Sequence, residues 1–391
     1  MNKFDAIVVG GGLIGGSIAF DLAAQNIRVA LIDRQQPGRE ASWAAAGMLS
    51  PGPDSPETLP LVPLAKESLQ MYPGFVRTIE EASELSVAFA QAGTFEIFGG
   101  PSGVADRDTL LSRYAELGLV AESISIDSAR AVEPEINFDS RAVVWLPDEA
   151  TVDPRLLVDA TLAAARNRGV EILFGQTVNS ILTESRRCTG VLAGGQKILA
   201  GQVVIAAGSF CGGIGKDPGG SDVDVLRYAP TRPVRGQMMA MRLPKLQLQK
   251  VLRSERGYIV PRADGRIIGG STLENVGFTK ENTPEGLRKI FEAVVELAPA
   301  LKDAEIVETW SGLRPDTPDH LPIIGPTDIP GLLIATGHYR NGILLAPVTA
   351  KLIREWIVDG KTSLNAERFS PLRFSAVNSR ATAERTFPAA S

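Results

Sequence analysis

The stretch "DAIVVGGGLIGGSIAFDLAAQNIRVALIDR", residues 5–34, constrains this chain more than any other. Its pattern predicts an apolar strand over residues 6–9, a glycine turn, an amphipathic helix over about 13–25, and a second strand over 29–32 closed by Asp33. Gly10, Gly12 and Gly15 form G-x-G-x-x-G. The first permits the tight turn, the second lets a pyrophosphate approach the main chain, and the third lets the helix pack closely on the strand. Amides of Leu13 and Ile14 open that helix, where free N–H groups attract phosphate. Asp33, followed by Arg34, stands where an acid accepts hydrogen bonds from ribose hydroxyls. A tight strand-to-helix turn without ligand would explain the glycines alone. It would not explain strand, helix, second strand and terminal acid in this order, so a dinucleotide site is expected, with NAD and FAD both open.

The rest of the chain limits what such a site serves. With 391 residues and 44% hydrophobic content there is enough chain for two domains. A net charge of -5, from 40 basic and 45 acidic residues without blocks of like charge, argues against nucleic acid or an anionic membrane as partner. No run of 18 apolar residues predicts a transmembrane helix. Two cysteines, Cys188 and Cys211, make no disulfide framework or metal motif. The N-terminus lacks a signal-peptide pattern, and a cytoplasmic protein is expected.

The expected organisation is interleaved. "ASWAAAGMLSP" is rich in small residues, and Ser42, Ala45, Ala46, Gly47 and Met48 would lie tight against a bulky ligand. Residues 152–175 read as a long amphipathic helix followed by a strand, then an antiparallel meander leads into an apolar strand at 203–207, which Gly208 ends as Gly10 ends the first. Asp264-Gly265 marks a hairpin. The predicted fold class is α/β and α+β: a discontinuous Rossmann-like domain (1–87, 149–221, 309–371) with an inserted antiparallel-sheet domain (88–148, 222–308) and a loosely held tail, 372–391. Near the end, "GHYRNGILLAP" joins glycine, histidine, tyrosine, arginine and asparagine to an apolar run, which suits neither surface nor core.

Together with "VDPRLLVDA", "GYIVPR" and "WSGLRPDTPDHLPIIG", these segments resemble the D-amino-acid oxidase superfamily of FAD-dependent amine oxidases, and within it the glycine oxidases of thiamine biosynthesis. The resemblance spans residues 6 to about 360. It implies FAD as cofactor and an amino acid as substrate. Arg314 is the implied carboxylate anchor and Tyr258 its hydroxyl partner. Tyr339 and Arg340 line the same pocket, and the Arg340 carbonyl accepts from the substrate amine. Gly337 and His338 would reach the flavin edge, and Asn341, Gly342 and Ile343 would open a helix aimed at the flavin pyrimidine. The resemblance implies hydride transfer from the substrate α-carbon to flavin without a protein acid or base, with dioxygen as oxidant and hydrogen peroxide as product. Leu273 stands where some glycine oxidases carry methionine beside the substrate. Gly312 stands about where sarcosine oxidases attach flavin through cysteine, so noncovalent flavin is expected. The resemblance further implies a homo-oligomer and a thiazole synthase as consumer of the product. The alternatives are a D-amino-acid dehydrogenase passing electrons to a quinone and a nonenzymatic FAD-binding sensor.

Overall fold

The computed structural model describes residues 3–137, 139–215 and 223–374. Most of the tail expected at 372–391 lies outside these residues. Strand Lys3–Val9 sits inside an eight-stranded sheet, parallel to Gln196–Ile205 on one side and to Val29–Asp33 on the other. Glu171–Phe174 extends the sheet beyond Val29–Asp33, and Leu332–Thr336 pairs parallel with Gln196–Ile205. Central strands of a parallel sheet are covered on both faces, which is why these segments read as unbroken apolar runs. The expected meander is present as Val178–Glu184, Arg187–Ala193 and Gln196–Ile205 in antiparallel register.

Helices Leu13–Ala23, Val62–Ser83, Pro154–Asn167 and Ala346–Val358 cover one face, joined through one hydrophobic cluster that includes Ile18, Tyr72, Ile79, Leu157 and Ile353. The first helix ends at Ala23 rather than the expected residue 25, because Asn26 turns the chain at φ 60, a conformation asparagine tolerates.

The second sheet has eight strands, from Glu305–Asp316 at one edge through Arg232–Arg242, Ile267–Gly270, Gly257–Pro261, Val251–Ser254, Thr94–Phe98 and Ala142–Leu146 to Glu122–Ile124. All its pairings are antiparallel except Val251–Ser254 with Thr94–Phe98. The Asp264-Gly265 hairpin is present, with Gly265 at φ 82. The boundary expected at 308/309 falls inside a strand: pairing with Arg232–Arg242 continues from Glu305 to Asp316, so the chain leaves the second sheet only after Asp316. A small three-stranded sheet joins Met48–Leu49, Ala150–Val152 and Phe89–Ala90. Among the described residues no helix is long and apolar enough to cross a membrane, and no group of three or more His, Cys, Asp or Glu is placed to hold a metal ion.

Candidate functional site

A cavity of about 1110 Å³ runs from the glycine turn of the first sheet to the edge of the second. At the first end the turn is as tight as its sequence implies. A Cβ on Gly15 would run into the Gly10 carbonyl, and one on Gly10 into the carbonyl of Ala206. Asp33 Oδ2 accepts from the Gly11 amide at 2.7 Å and Oδ1 from the Gln35 amide at 3.0 Å. An ionised carboxylate has about four acceptor positions. Asp33 therefore fixes the turn and keeps acceptor capacity toward the cavity it lines. Ser42 Oγ accepts from the Leu13 amide at 3.0 Å, tying the small-residue segment to the first helix. That segment is one helical turn, Ala41–Ala44, followed by extended chain. Gly47, at φ 75, lies so close to the Val152 carbonyl that no side chain fits there.

At the other end Arg314 projects from the edge strand. Its Nη2 donates to Ser271 Oγ at 2.7 Å and its Nη1 to the Thr272 carbonyl at 3.2 Å. Among the described residues no carboxylate forms an ion pair with it. Burial pulls the guanidinium below its ordinary pKa, while the Tyr258 hydroxyl, Tyr339 and Asp54 oppose that shift and Arg340 adds to it. A partly desolvated guanidinium without a carboxylate is costly, and a ligand carboxylate offers the missing partner. Tyr258, Tyr339 and Arg340 line the same end of the cavity, as do Asp54 and Ser271. Tyr258 is buried, with its hydroxyl 3.4 Å from Met238 Sδ. Tyr339 holds φ 48, pinned by its amide donating to the Pro315 carbonyl at 3.0 Å.

Between the two ends lie Gly208, Gly312, His338, Asn341, Gly342 and Ile343. His338 is 3% exposed, and burial pushes its pKa down to about 3, so the ring is neutral at ordinary pH. Its Nε2 lies 3.0 Å from Thr349 Oγ1.

Residues 5–356 match the family described as DAO, FAD dependent oxidoreductase. The chain belongs to the DAO family.

This DAO-family chain is 35% identical over 378 residues to the bifunctional protein ThiO/ThiG of Synechocystis sp., covering 95% of itself and 54% of that protein. It thus spans about half the length of the bifunctional relatives it resembles. It is 30% identical over 375 residues to a glycine oxidase of Geobacillus kaustophilus, covering 95% of itself and 97% of the relative. The crystal structure of glycine oxidase from Geobacillus kaustophilus superposes with a TM-score of 0.88 at 29% identity, covering 95% of this chain and 99% of that one. The glycine oxidase of Bacillus cereus superposes with a TM-score of 0.84 at 31% identity. The chain is an FAD-dependent oxidoreductase, similar to amino-acid oxidases of the glycine-oxidase type.

The residues present fit FAD. A glycine turn that excludes any Cβ, an acid at the end of the second strand, and a continuous cavity beyond the range usual for a single small ligand are what a long dinucleotide needs. Neither cysteine lines this cavity: Cys188 and Cys211 are both buried elsewhere, the latter 3.5 Å from Thr336 Oγ1.

Several sequence expectations shift in place. Leu273 is 54% exposed and does not line the cavity. Leu13, Gly15 and Gly337 also stay off its wall: the first two are buried in the turn, and Gly337, at φ 73, bends the chain against Thr317. The regular helix opens at Ala346, not at Asn341, because Pro347 belongs in a first helical turn, where its missing N–H costs nothing. Residues 341–345 make an irregular turn instead, held from outside by Tyr72 Oη donating to the Ile343 carbonyl at 2.8 Å and Ser68 Oγ to that of Leu344 at 2.6 Å. Sequence reasoning missed those two residues, together with Ser271, Asp54 and the stack of Arg34 over Phe210, whose ring meets Phe278. Only the amphipathic face of Val62–Ser83 signalled any of them.

Proposed function

We propose that this protein oxidises glycine, and with it sarcosine and small D-amino acids, using noncovalently bound FAD and dioxygen. The observation that carries the reading is the Arg314 guanidinium, partly desolvated and without a carboxylate partner among the described residues, in one cavity with the glycine turn and Asp33. Bound FAD would supply the two-electron oxidant for the substrate's α-carbon–nitrogen bond; from glycine this would give an imine that hydrolyses to glyoxylate and ammonia, with dioxygen reduced to hydrogen peroxide on reoxidation.

The chain's own work is binding and orientation. Arg314 pairs with the substrate carboxylate, Tyr258 adds a hydroxyl beside it, and the Arg340 carbonyl accepts from the amine. Tyr339 closes the pocket over the substrate. Gly312 permits close approach of the edge strand, since a Cβ there would strike Ala44. No group acts as acid or base: burial makes His338 a weak base and its Nε2 is engaged with Thr349 Oγ1, and an uncharged substrate amine needs none. Asp33 and Arg34 hold the ribose end, and Ser42, Ala45, Ala46, Gly47 and Met48 lie along the cofactor. The two ends of the cavity divide the labour, with the first sheet serving FAD and the second the substrate. The similarity to the ThiO/ThiG proteins supports a further proposal, that the imine feeds a thiazole synthase in the cytoplasm.

Anaerobic mixing of purified protein with small amines tests the reading. Glycine bleaches the flavin absorbance and air restores it with release of peroxide. Bleaching reversed by a quinone but not by air would favour the dehydrogenase, and no bleaching by any amine would favour a sensor.

A further inference from the structure

Asp54 lies in the proline-flanked loop "SPGPDSPE", and its carboxylate meets the Arg340 guanidinium at 3.1 Å. Both side chains are about one-third exposed and both line the cavity at the Arg314 end. The three charges sum to +1, two guanidiniums and one carboxylate, which matches a single bound carboxylate. Removing Asp54 leaves +2 on the same wall. Pro53 and Pro56 restrict the loop on either side, so Asp54 is held rather than floating. Arg340 is fixed from its own side by the Tyr339 amide on Pro315 and the Asn341 amide on the His338 carbonyl at 2.8 Å.

We infer that the Asp54–Arg340 ion pair determines substrate charge, admitting amines with one carboxylate and turning away those with a second acidic group. The inference rests on Arg314 being the carboxylate anchor. A second acid reaching Arg340 must displace Asp54 or sit beside it, and like charges at such a distance repel. The native pair thus works by exclusion, and its loss exposes a second anion site of the same chemistry as the first.

The experiment is calorimetric titration of the FAD-loaded protein with acetate and with malonate, in the wild type, in Asp54→Asn, and in the double variant Asp54→Asn with Arg340→Met. Wild type should bind malonate no more tightly than acetate. In Asp54→Asn the preference should swing toward malonate by about tenfold, as one added charge-assisted contact implies. The double variant should lose that swing. Turnover gives a parallel reading: the kcat/KM ratio of N-(carboxymethyl)glycine to glycine should rise by a similar factor in Asp54→Asn.

A malonate-to-acetate ratio equal in wild type and Asp54→Asn overturns the inference, and so does a swing that persists without Arg340. If acetate binds wild type while the ratio stays fixed, only this inference falls. If neither anion binds any variant and glycine does not bleach the flavin, the anchor role of Arg314 has failed and this inference falls with it.

Discussion

Gly236 and Arg314 meet across two neighbouring strands: the guanidinium occupies the space that any Cβ at Gly236 would fill, with Nη1, Nη2 and Cζ all within 2.5 Å of that position. Register explains the contact. Val234 pairs with Arg314 and Gly236 with Gly312, so Gly236 is the diagonal neighbour on the same face. The glycine thus gives the charged fork a flat seat beside Ser271 and Thr272.

Gly236→Ala should push the guanidinium out of that seat. We expect kcat/KM for glycine to fall by roughly 1–3 kcal/mol in transition-state terms, the usual cost of overpacking. FAD content should hold, because Gly236 lies at the Arg314 end. Steady-state kinetics with flavin quantitation checks this. Unchanged kinetics would mean that the arginine's position in this seat does not matter to substrate.

The glycine turn and Asp33 make the cofactor prediction. Acid precipitation should release all the flavin into the supernatant, since neither cysteine lines the cavity. Asp33→Ala should weaken FAD by about 1–3 kcal/mol, through the lost acceptor and the freed Gly11 amide. Fluorescence titration of the apoprotein measures it. Flavin retained in the precipitate would contradict noncovalent binding, and wild-type affinity in the variant would remove Asp33 from the site.

His338 sets two pH expectations. Its folded pKa is depressed to about 3 from an ordinary 6.5, so the unfolded chain binds the proton more readily. Stability contributed by the neutral ring is present above 6.5 and is lost as pH falls from 6.5 through 3. A His338→Gln variant should show a shallower fall of Tm across that window. In turnover, His338 supplies no ionisation at neutral or alkaline pH, so kcat/KM should rise with pH as the glycine ammonium deprotonates. A flat alkaline profile would require a protein base instead.

What could be read from sequence was whatever is local. The Gly10 to Asp33 unit is contiguous, and its strand, turn and helix each carry their own pattern. The motif around Arg314 singles it out, yet its seat is not legible in sequence: Gly236 is distant along the chain and meets it only through strand register. Asp54 carries no motif at all, since its contact with Arg340 comes from a loop crossing to the Tyr339–Arg340 turn. Leu273 lies off the cavity wall for the converse reason. It lies two residues beyond Ser271, where strand Ile267–Gly270 has ended and alternation no longer fixes which way a side chain points. The domain boundary expected at 308/309 falls inside the strand Glu305–Asp316 because motif boundaries need not coincide with the ends of pairing.

The strongest expectation concerns Arg314 itself. If its guanidinium pairs with the substrate carboxylate through two charge-assisted bonds, Arg314→Met removes both and leaves the carboxylate partly desolvated. The loss should be roughly 2–4 kcal/mol, about 30- to 1000-fold in kcat/KM for glycine. Arg314→Lys should recover part of it, because a point charge remains while the fork geometry is gone. Removing Arg314 also frees Ser271 Oγ and the Thr272 carbonyl, but both can turn to water in a cavity this open, so fold and FAD content should survive. An amine without a carboxylate provides the internal control, since its oxidation uses the same flavin and pocket but not this ion pair. Equal slowing of both substrates would make Arg314 structural, and no slowing of glycine would send the search for the carboxylate site to Arg340 and Tyr258.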